Sequence, residues 1–164
     1  MSDLTQHYQS TDSLWQQIEK TLLAADIDPE TQLNSDLLAP IDQLHIGGRQ
    51  ATQQLINQAD LASGCRVLEI GSGLGGTARL LSEIIPCTIT AIDITDSFSQ
   101  AHTEINKRMS INNIRVVCAD ACVMQVPPAS QDLIISQHTL MNIPDKKALL
   151  ETLSQSLKPG GQLL

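Results

Sequence analysis

The chain has 164 residues, of which 41% are hydrophobic and 17% charged, a composition typical of a globular protein of one-domain size. Its formal net charge of −8 argues against a nucleic-acid partner, because neutralising phosphates needs clustered Lys and Arg, and one Trp, one Tyr and one Phe are too few for base stacking. The sequence has neither a signal-peptide core nor about 18 consecutive apolar residues, so we expect a cytoplasmic protein without a membrane partner.

The first sixty residues, 1–60, predict an amino-terminal helical lid over a small-molecule pocket. Ser13 and Gln16 form a candidate capping box, and apolar residues follow at helical spacing over 14–22. The rest of this segment contains, in chain order, a turn-rich break around Pro29, an unusual loop at 39–49 and a helix at about 50–59.

The remainder of the chain, 61–164, alternates strands with helices. Asp145 is expected to cap the last helix, which Lys158–Gly161 ends because Pro and Gly cannot continue it, and 162–164 begins a fifth strand. This alternation predicts an α/β fold with a doubly wound, mostly parallel sheet, in which ligands bind beyond the carboxyl ends of the strands. The predicted strands are 66–70, 88–92, 114–118 and 133–136, and the helices between them are 77–85 and 98–109.

The four cysteines are expected to be reduced thiols. Only Cys118 and Cys122 are closely spaced, and no second Cys or His pair completes a ligand set. We therefore expect no metal site.

An apolar run that ends in glycines is the clearest functional signal. Residues 67–76 are Val-Leu-Glu-Ile-Gly-Ser-Gly-Leu-Gly-Gly, and a predicted helix follows directly. Glycines at a strand-to-helix turn let a ligand approach the backbone closely, and the helix N-terminus adds N–H donors. The Gly-x-Gly-x-x-Gly spacing also fits a dinucleotide-binding fingerprint, with Asp93 about 20 residues further on, so an oxidoreductase is one interpretation. Glu69 argues against it, because a negative charge there would repel a pyrophosphate but suit a cation.

At this turn, at Asp93, at Asp120-Ala121 and at the helix end 157–161, the chain resembles the class I S-adenosylmethionine-dependent methyltransferases that act on small molecules. The resemblance covers about 66–164 and extends more weakly to the loop 42–49. It implies a Rossmann-like core, S-adenosylmethionine as cofactor, and transfer of a methyl group to a small-molecule acceptor by in-line displacement. A non-catalytic module that binds the same cofactor is an alternative.

The resemblance also implies which residues bind the cofactor. The turn would line its methionine and ribose end, Asp93 would accept both ribose hydroxyls, and Ile94 would pack on the adenine face. Asp120 would hydrogen-bond the adenine amino group, and the Ala121 N–H would contact a ring nitrogen. The complete expected set is Glu69, Gly71, Ser72, Gly73, Gly75, Asp93, Ile94, Asp120, Ala121 and Gln137.

The acceptor side follows from the same resemblance. It places Gln137 and His138, which come after the fourth predicted strand, near the transferable methyl group. His138 is the candidate catalytic residue, as a general base for an acceptor that must lose a proton. His45 and Arg49 are expected on the substrate side, with Arg49 as a candidate partner for a carboxylate. Tyr8 either folds over the cofactor or belongs to a disordered amino-terminal tail.

Several of these residues also have a purely structural interpretation. Asp93, Asp120 and Asp132 are typical turn residues, and a histidine after a strand is often a packing residue. The sheet of this family normally has seven strands, whereas the sequence ends in the fifth predicted strand. We therefore expect an incomplete core without the last strands, an exposed apolar sheet edge, and a homodimer that pairs such edges.

Overall fold

The computed structural model describes residues 13–28, 31–43 and 45–164, so the predictions for Tyr8 and Pro29 lie outside the described residues. None of the helices in these ranges has the length and apolarity needed to cross a membrane. The helices are α1 (Leu14–Ala24), α2 (Ser35–Asp42), α3 (Gly48–Ile56), α4 (Gly76–Ile84), α5 (Asp96–Arg108) and α6 (Lys146–Ser156). The strands are β1 (Cys65–Ile70), β2 (Cys87–Asp93), β3 (Ile114–Cys118), β4 (Gln131–Ile135) and β5 (Leu157–Leu163).

The five described strands form one parallel sheet in the order β3-β2-β1-β4-β5. β1 pairs with β2 from Cys65↔Cys87 to Ile70↔Ile92, and with β4 on its other side. Because successive strands are added first on one side of β1 and then on the other, the topological switch point lies between β1 and β4. The predicted doubly wound α/β fold is confirmed.

The strands are apolar on both faces because helices cover both sides of the sheet. Val67 of β1 belongs to a core cluster with Leu80 of α4, whereas the next residue, Leu68, belongs to a second cluster with Leu149 of α6. Successive side chains of a strand point to opposite faces, which explains this division. Position 69 therefore faces the α4 layer.

The amino-terminal helices α1 and α2 pack on α5 and α4. The predicted capping box is present, because Ser13 Oγ accepts the Gln16 N–H at 3.2 Å and Gln16 Oε1 accepts the Ser13 N–H at 2.7 Å. Ile18 and Leu38 form a third core cluster with Ile105 of α5. The division into a lid and a core stays a prediction.

The loop predicted at 39–49 is partly helical, because α2 continues through Pro40. The proline removes one backbone donor. Two features compensate: the side chain of Asn34 caps the helix start, and the Leu38 side chain is fully buried. The helix predicted at about 50–59 begins and ends earlier, as α3.

Lys158–Gly161 lies within β5 rather than between helix and strand, so the predicted helix end is corrected. The segment forms a bulge opposite Gln131 to Leu133 of β4. The Lys158 ammonium lies 2.7 Å from Asp132 Oδ2, and this ion pair links the bulge to the neighbouring strand.

A buried guanidinium connects the amino-terminal helices to the core. Arg79 of α4 is 0% exposed, and its Nη2 lies 2.7 Å from Asp42 Oδ2 at the end of α2. Nη2 also donates to the Leu74 carbonyl in the glycine-rich turn, and Nη1 donates to Asn106 Oδ1 of α5 at 3.1 Å. Burial lowers the pKa of Arg79, and the Asp42 carboxylate opposes that shift. One side chain thus joins three helices and the turn.

Replacing Asp42 with Asn should lower the free energy of unfolding by about 3–5 kcal/mol, because the Arg79 charge stays buried without its countercharge. Urea unfolding measures this loss. The matched control is Glu104→Gln, which breaks an exposed ion pair with Lys107 and should cost less than about 1 kcal/mol. If the two variants lose equal stability, the buried pair is not what holds α2 on α4.

Candidate active site

The turn between β1 and α4 is packed too tightly for side chains at several positions. Gly71 has a φ of 75°, and a Cβ atom there would overlap the Thr139 side chain, which follows β4. Gly75 has a φ of 87°, and its Cβ would overlap the ring of His102 on α5. Glycine is therefore required at both positions for space as well as for backbone conformation.

The buried, neutral ring of His102 packs behind this turn. It is 0% exposed, and burial, together with the Arg79 cation, lowers its pKa to about 3. Neither ring nitrogen has a hydrogen-bond partner among the described residues. Gly75 therefore packs on an uncharged ring, and the structure brings Gly75 to α5 rather than to a cavity.

Asp93, at the end of β2, holds the turn in place. Its Oδ2 accepts the Gly73 N–H and its Oδ1 accepts the Thr95 N–H, both at 2.8 Å. The Ile92 carbonyl accepts the N–H groups of Gly71 and Ser72 at 2.8 and 2.9 Å. The turn role considered for Asp93 is thus real. Each carboxylate oxygen still has lone pairs for a further donor.

A cavity of about 330 Å³ lies at the carboxyl ends of β1, β2 and β3, and we call it the strand-end cavity. It brings together Gly71, Asp93, Ile94, Asp120 and Ala121. Ile94 is 69% exposed and so presents an apolar surface to this cavity. Asp120 accepts the Cys122 N–H at 2.8 Å and so also closes a turn. The cavity has the size of a small-molecule site.

A second cavity, of about 410 Å³, lies between the turn and the amino-terminal helices, and we call it the lid-side cavity. Gly71 lines both cavities, so they adjoin at the turn. The predicted residues that line the lid-side cavity are His45, Glu69, Ser72, Gly73, Gln137 and His138.

Glu69 is a buried carboxyl group in the wall of the lid-side cavity. It is 4% exposed, and its Oε2 has no hydrogen-bond partner among the described residues. Burial raises the pKa of Glu69 to about 8, with a smaller contribution from Asp93, while the Arg79 cation opposes the shift. A cationic ligand would supply the missing partner and favour the ionised carboxylate.

A hydrogen-bond network at the lid-side cavity joins the amino-terminal segment to the loop after β4. The Thr52 hydroxyl lies 2.7 Å from Gln43 Oε1, 3.0 Å from His45 Nε2 and 3.0 Å from Gln137 Oε1. The rings of His45 and His138 stack, with centroids 5.1 Å apart. The predicted residues His45, Gln137 and His138 are thus neighbours.

Arg49 is placed differently from these residues. Its guanidinium lies 3.4 Å from both Asp36 and Glu83 carboxylates at the outer junction of α2, α3 and α4, away from the residues that line the cavity. Its substrate-side role stays a prediction.

Sequence reasoning missed Thr52, Gln43, Asp42 and Thr139 as parts of the site. Thr52 and Gln43 are polar yet buried, at 0% and 7% exposure. Both lie in segments that mix polar and apolar residues, so the local sequence does not mark either of them as buried. Asp42 and Gln43 begin the loop 42–49 that carried the weaker resemblance, and this was the available signal.

The family model described as Methyltransferase domain matches residues 68–164, more than half of the chain. The chain belongs to this methyltransferase family. The match begins in β1 and includes the residues at the strand ends that line the two cavities. The family assignment and the geometry therefore concern the same part of the molecule.

This methyltransferase domain is also similar to named N-methyltransferases. It is 29% identical over 119 residues to phosphoethanolamine N-methyltransferase 1 of Arabidopsis thaliana, covering 72% of the chain and 24% of that protein. It is 23% identical over 127 residues to glycine/sarcosine/dimethylglycine N-methyltransferase of Actinopolyspora halophila, covering 76% of the chain and 22% of that protein. The chain thus spans about a quarter of the length of these relatives.

A solved structure confirms the fold of the methyltransferase domain. Phosphoethanolamine N-methyltransferase 2 of Haemonchus contortus, in complex with S-adenosyl-L-methionine, matches with a TM-score of 0.71 at 22% identity. The match covers 84% of the chain and 34% of that structure.

Glu69 should make stability depend on pH in a defined window. A pKa of about 8 in the folded protein, against an ordinary value of 4.5 for glutamate, means that the folded state keeps a proton that the unfolded chain releases. The stabilisation is therefore full below pH 4.5 and is lost as the pH rises through about 8. Relative to Glu69→Gln, the wild-type free energy of unfolding should fall by up to about 1.4 kcal/mol per pH unit in this window. If the free energies of unfolding of the wild type and of Glu69→Gln change in parallel with pH, the pKa of Glu69 is not raised.

The two glycines at the start of the turn should differ in their tolerance of Ala. Gly73 has a φ of 51° but open space around a Cβ, so Gly73→Ala should cost only the backbone strain of about 1–2 kcal/mol. Gly71→Ala adds the overlap with Thr139 and should cost about 1–3 kcal/mol more. Chemical unfolding of both variants measures the difference. Equal losses would mean that the Thr139 contact is not rigid.

Proposed function

We propose that the chain is the cofactor-binding part of an S-adenosylmethionine-dependent methyltransferase that acts on a small-molecule acceptor. The observation that carries the proposal is the buried Glu69 carboxyl, whose Oε2 has no hydrogen-bond partner among the described residues, beside a cavity that adjoins the strand-end cavity at Gly71. This arrangement suits a ligand with a nucleoside at one end and a positive charge at the other. Family membership supports the same conclusion.

The strand-end cavity would take the adenosine portion of the cofactor. Asp93 has lone pairs left to accept ribose hydroxyls, and its bonds to Gly73 and Thr95 orient the carboxylate. Ile94 offers an exposed apolar face to adenine, and the Asp120-Ala121 pair lies at the same rim. These residues fit the role that the sequence resemblance implies.

The lid-side cavity would take the methionine portion. When bound, S-adenosylmethionine supplies an activated methyl group on a positively charged sulfur. Glu69 would hold the ligand's positive charge, and Ser72 and Gly73 would line the path beside it. The open space at Gly73 leaves room for close approach to the backbone. The chain contributes mainly orientation and exclusion of water, effects worth roughly 7–11 kcal/mol when geometry is well defined.

The acceptor would enter the lid-side cavity next to Gln137, His138 and His45. His138 remains the proposed general base, since it lines this cavity and is exposed, whereas His45, which also lines it, is half-buried. The relatives named above methylate nitrogen in phosphoethanolamine or in glycine and its methylated forms, as their names state. We therefore propose a small amine as the acceptor.

Location and assembly complete the proposal. A cytoplasmic location is supported by the four cysteines, all of which are free thiols. A homodimer through β5 is supported by the position of this strand at one edge of the described sheet, where Leu163 is 40% exposed.

Replacing Asp93 with Ala should weaken the binding of S-adenosylhomocysteine by tenfold to about a hundredfold, because charge-assisted hydrogen bonds to the ribose are lost. Calorimetric titration measures the dissociation constant. Asp96→Ala is the matched control, since Asp96 is a nearby carboxylate on the first turn of α5 that accepts a hydrogen bond from the Gln100 side chain and lines neither cavity. An unchanged constant in Asp93→Ala would contradict the ribose assignment.

A further inference from the structure

A buried hydroxyl group on α3 joins two segments that are far apart in the sequence. Thr52 is 0% exposed. Its hydroxyl lies 2.7 Å from Gln43 Oε1, 3.0 Å from His45 Nε2 and 3.0 Å from Gln137 Oε1. Gln43 and His45 lie between α2 and α3, whereas Gln137 follows β4. Thr52 does not line the lid-side cavity itself, so it can influence a ligand there only through these neighbours.

The donors of this network follow from the number of hydrogens available. A hydroxyl group donates one hydrogen, but two amide oxygens lie within reach of Thr52. His45 Nε2 lies 3.0 Å from Gln43 Oε1, and an N–H at that nitrogen satisfies the Gln43 oxygen. The hydroxyl hydrogen of Thr52 is then available to Gln137 Oε1. With this assignment, Gln137 Oε1 has a donor only while the Thr52 hydroxyl is present.

Gln137 is held at both its backbone and its side chain. Its carbonyl oxygen accepts the Thr139 hydroxyl at 3.2 Å, and the same hydroxyl lies 3.4 Å from the Gly71 carbonyl oxygen in the turn. The contact with Thr52 fixes the other end of the residue, at Oε1. The two N–H groups of the amide remain to donate, and they have no acceptor among the described residues. Because Gln137 lines the lid-side cavity, these N–H groups are available to a ligand.

We infer that Thr52 is a positioning residue for the cofactor: its hydroxyl holds the Gln137 amide so that the amide N–H groups donate to the carboxylate of the cofactor's amino-acid portion. That portion carries a carboxylate as well as the positive charge proposed to lie at Glu69. A hydrogen bond to a carboxylate is charge-assisted and depends on geometry, so an amide that is already oriented binds it more tightly than a mobile one. The inference rests on the proposed function and adds a ligand contact and the residue that orients it.

A set of variants separates positioning from a purely structural role. Thr52→Val removes the hydroxyl, Thr52→Ser keeps it, and Gln137→Leu removes the amide. The double variant Thr52→Val with Gln137→Leu tests whether Thr52 acts through Gln137. The control is Thr103→Val, which removes a hydroxyl that donates to the Ser99 carbonyl oxygen within α5 and lines neither cavity. Each protein is titrated by calorimetry with S-adenosylhomocysteine and with 5′-methylthioadenosine, which lacks the amino-acid portion.

Thr52→Val and Gln137→Leu should each weaken the binding of S-adenosylhomocysteine about tenfold, because a charge-assisted hydrogen bond is lost or misplaced. Neither should change the binding of 5′-methylthioadenosine. Thr52→Ser should bind S-adenosylhomocysteine nearly as tightly as the wild type, since the hydroxyl is restored. The double variant should bind it no more weakly than Gln137→Leu alone, because the hydroxyl has no effect once the amide is absent. Thr103→Val should behave as the wild type.

The inference is overturned if Thr52→Val binds S-adenosylhomocysteine as the wild type does, if it weakens both ligands equally, or if the two single losses add in the double variant. If Thr52→Val does not fold, Gln137→Leu decides, because an unchanged affinity for S-adenosylhomocysteine shows that the amide makes no ligand contact. Failure of the proposed function gives a different result: folded wild-type protein that binds neither S-adenosylhomocysteine nor 5′-methylthioadenosine.

Discussion

The close packing of the turn between β1 and α4 is the constraint on which the rest of the site depends. A side chain at Gly71, Gly75 or Gly76 would overlap Thr139, His102 or Asp42, respectively. These three neighbours belong to the loop after β4, to α5 and to α2. The absence of side chains at these three glycines therefore lets three distant parts of the chain meet at one place, and the two cavities lie on either side of the turn.

Charge at this meeting point is arranged around one buried cation. Arg79 pairs with Asp42 and donates to the turn at Leu74, whereas Glu69 Oε2 has no hydrogen-bond partner among the described residues. Burial raises the pKa of both Asp42 and Glu69, and the Asp93 and Asp42 carboxylates raise the pKa of Glu69 further, while the Arg79 cation opposes the shift of both groups. A positively charged ligand in the lid-side cavity would relieve this imbalance, which agrees with the proposed cofactor.

The sequence was sufficient for the features that depend on local pattern. Apolar runs and their spacing predicted the four complete strands, and the glycines at 71–76 predicted the tight turn between β1 and α4, because such turns need conformations and space that other residues lack. The loop predicted at 39–49 was wrong at its start, since the cap at Asn34 and the burial of Leu38 stabilise α2 through Pro40. The bulge at 158–161 depends on pairing with β4, which a local pattern does not contain.

The polar contacts of the site were less accessible to sequence reasoning. His45 and His138 are far apart in the chain, and only the folded sheet and α3 bring their rings together. Thr52 acts through three hydrogen-bond partners from separate segments, so its residue type alone carries no signal. Asp93 shows the opposite case, because its position at a strand end predicted both a turn and a ligand contact, and the turn contact is present.

The most direct test of the central claim is a calorimetric titration of the folded chain with S-adenosylhomocysteine, with NAD as the control. Both ligands contain adenosine, but only S-adenosylhomocysteine carries an amino-acid portion with an ammonium group for Glu69, whereas NAD brings a pyrophosphate. The account predicts that S-adenosylhomocysteine binds and that NAD neither binds nor competes with it. Binding of NAD at the same site, or no binding of S-adenosylhomocysteine by folded protein, would contradict it.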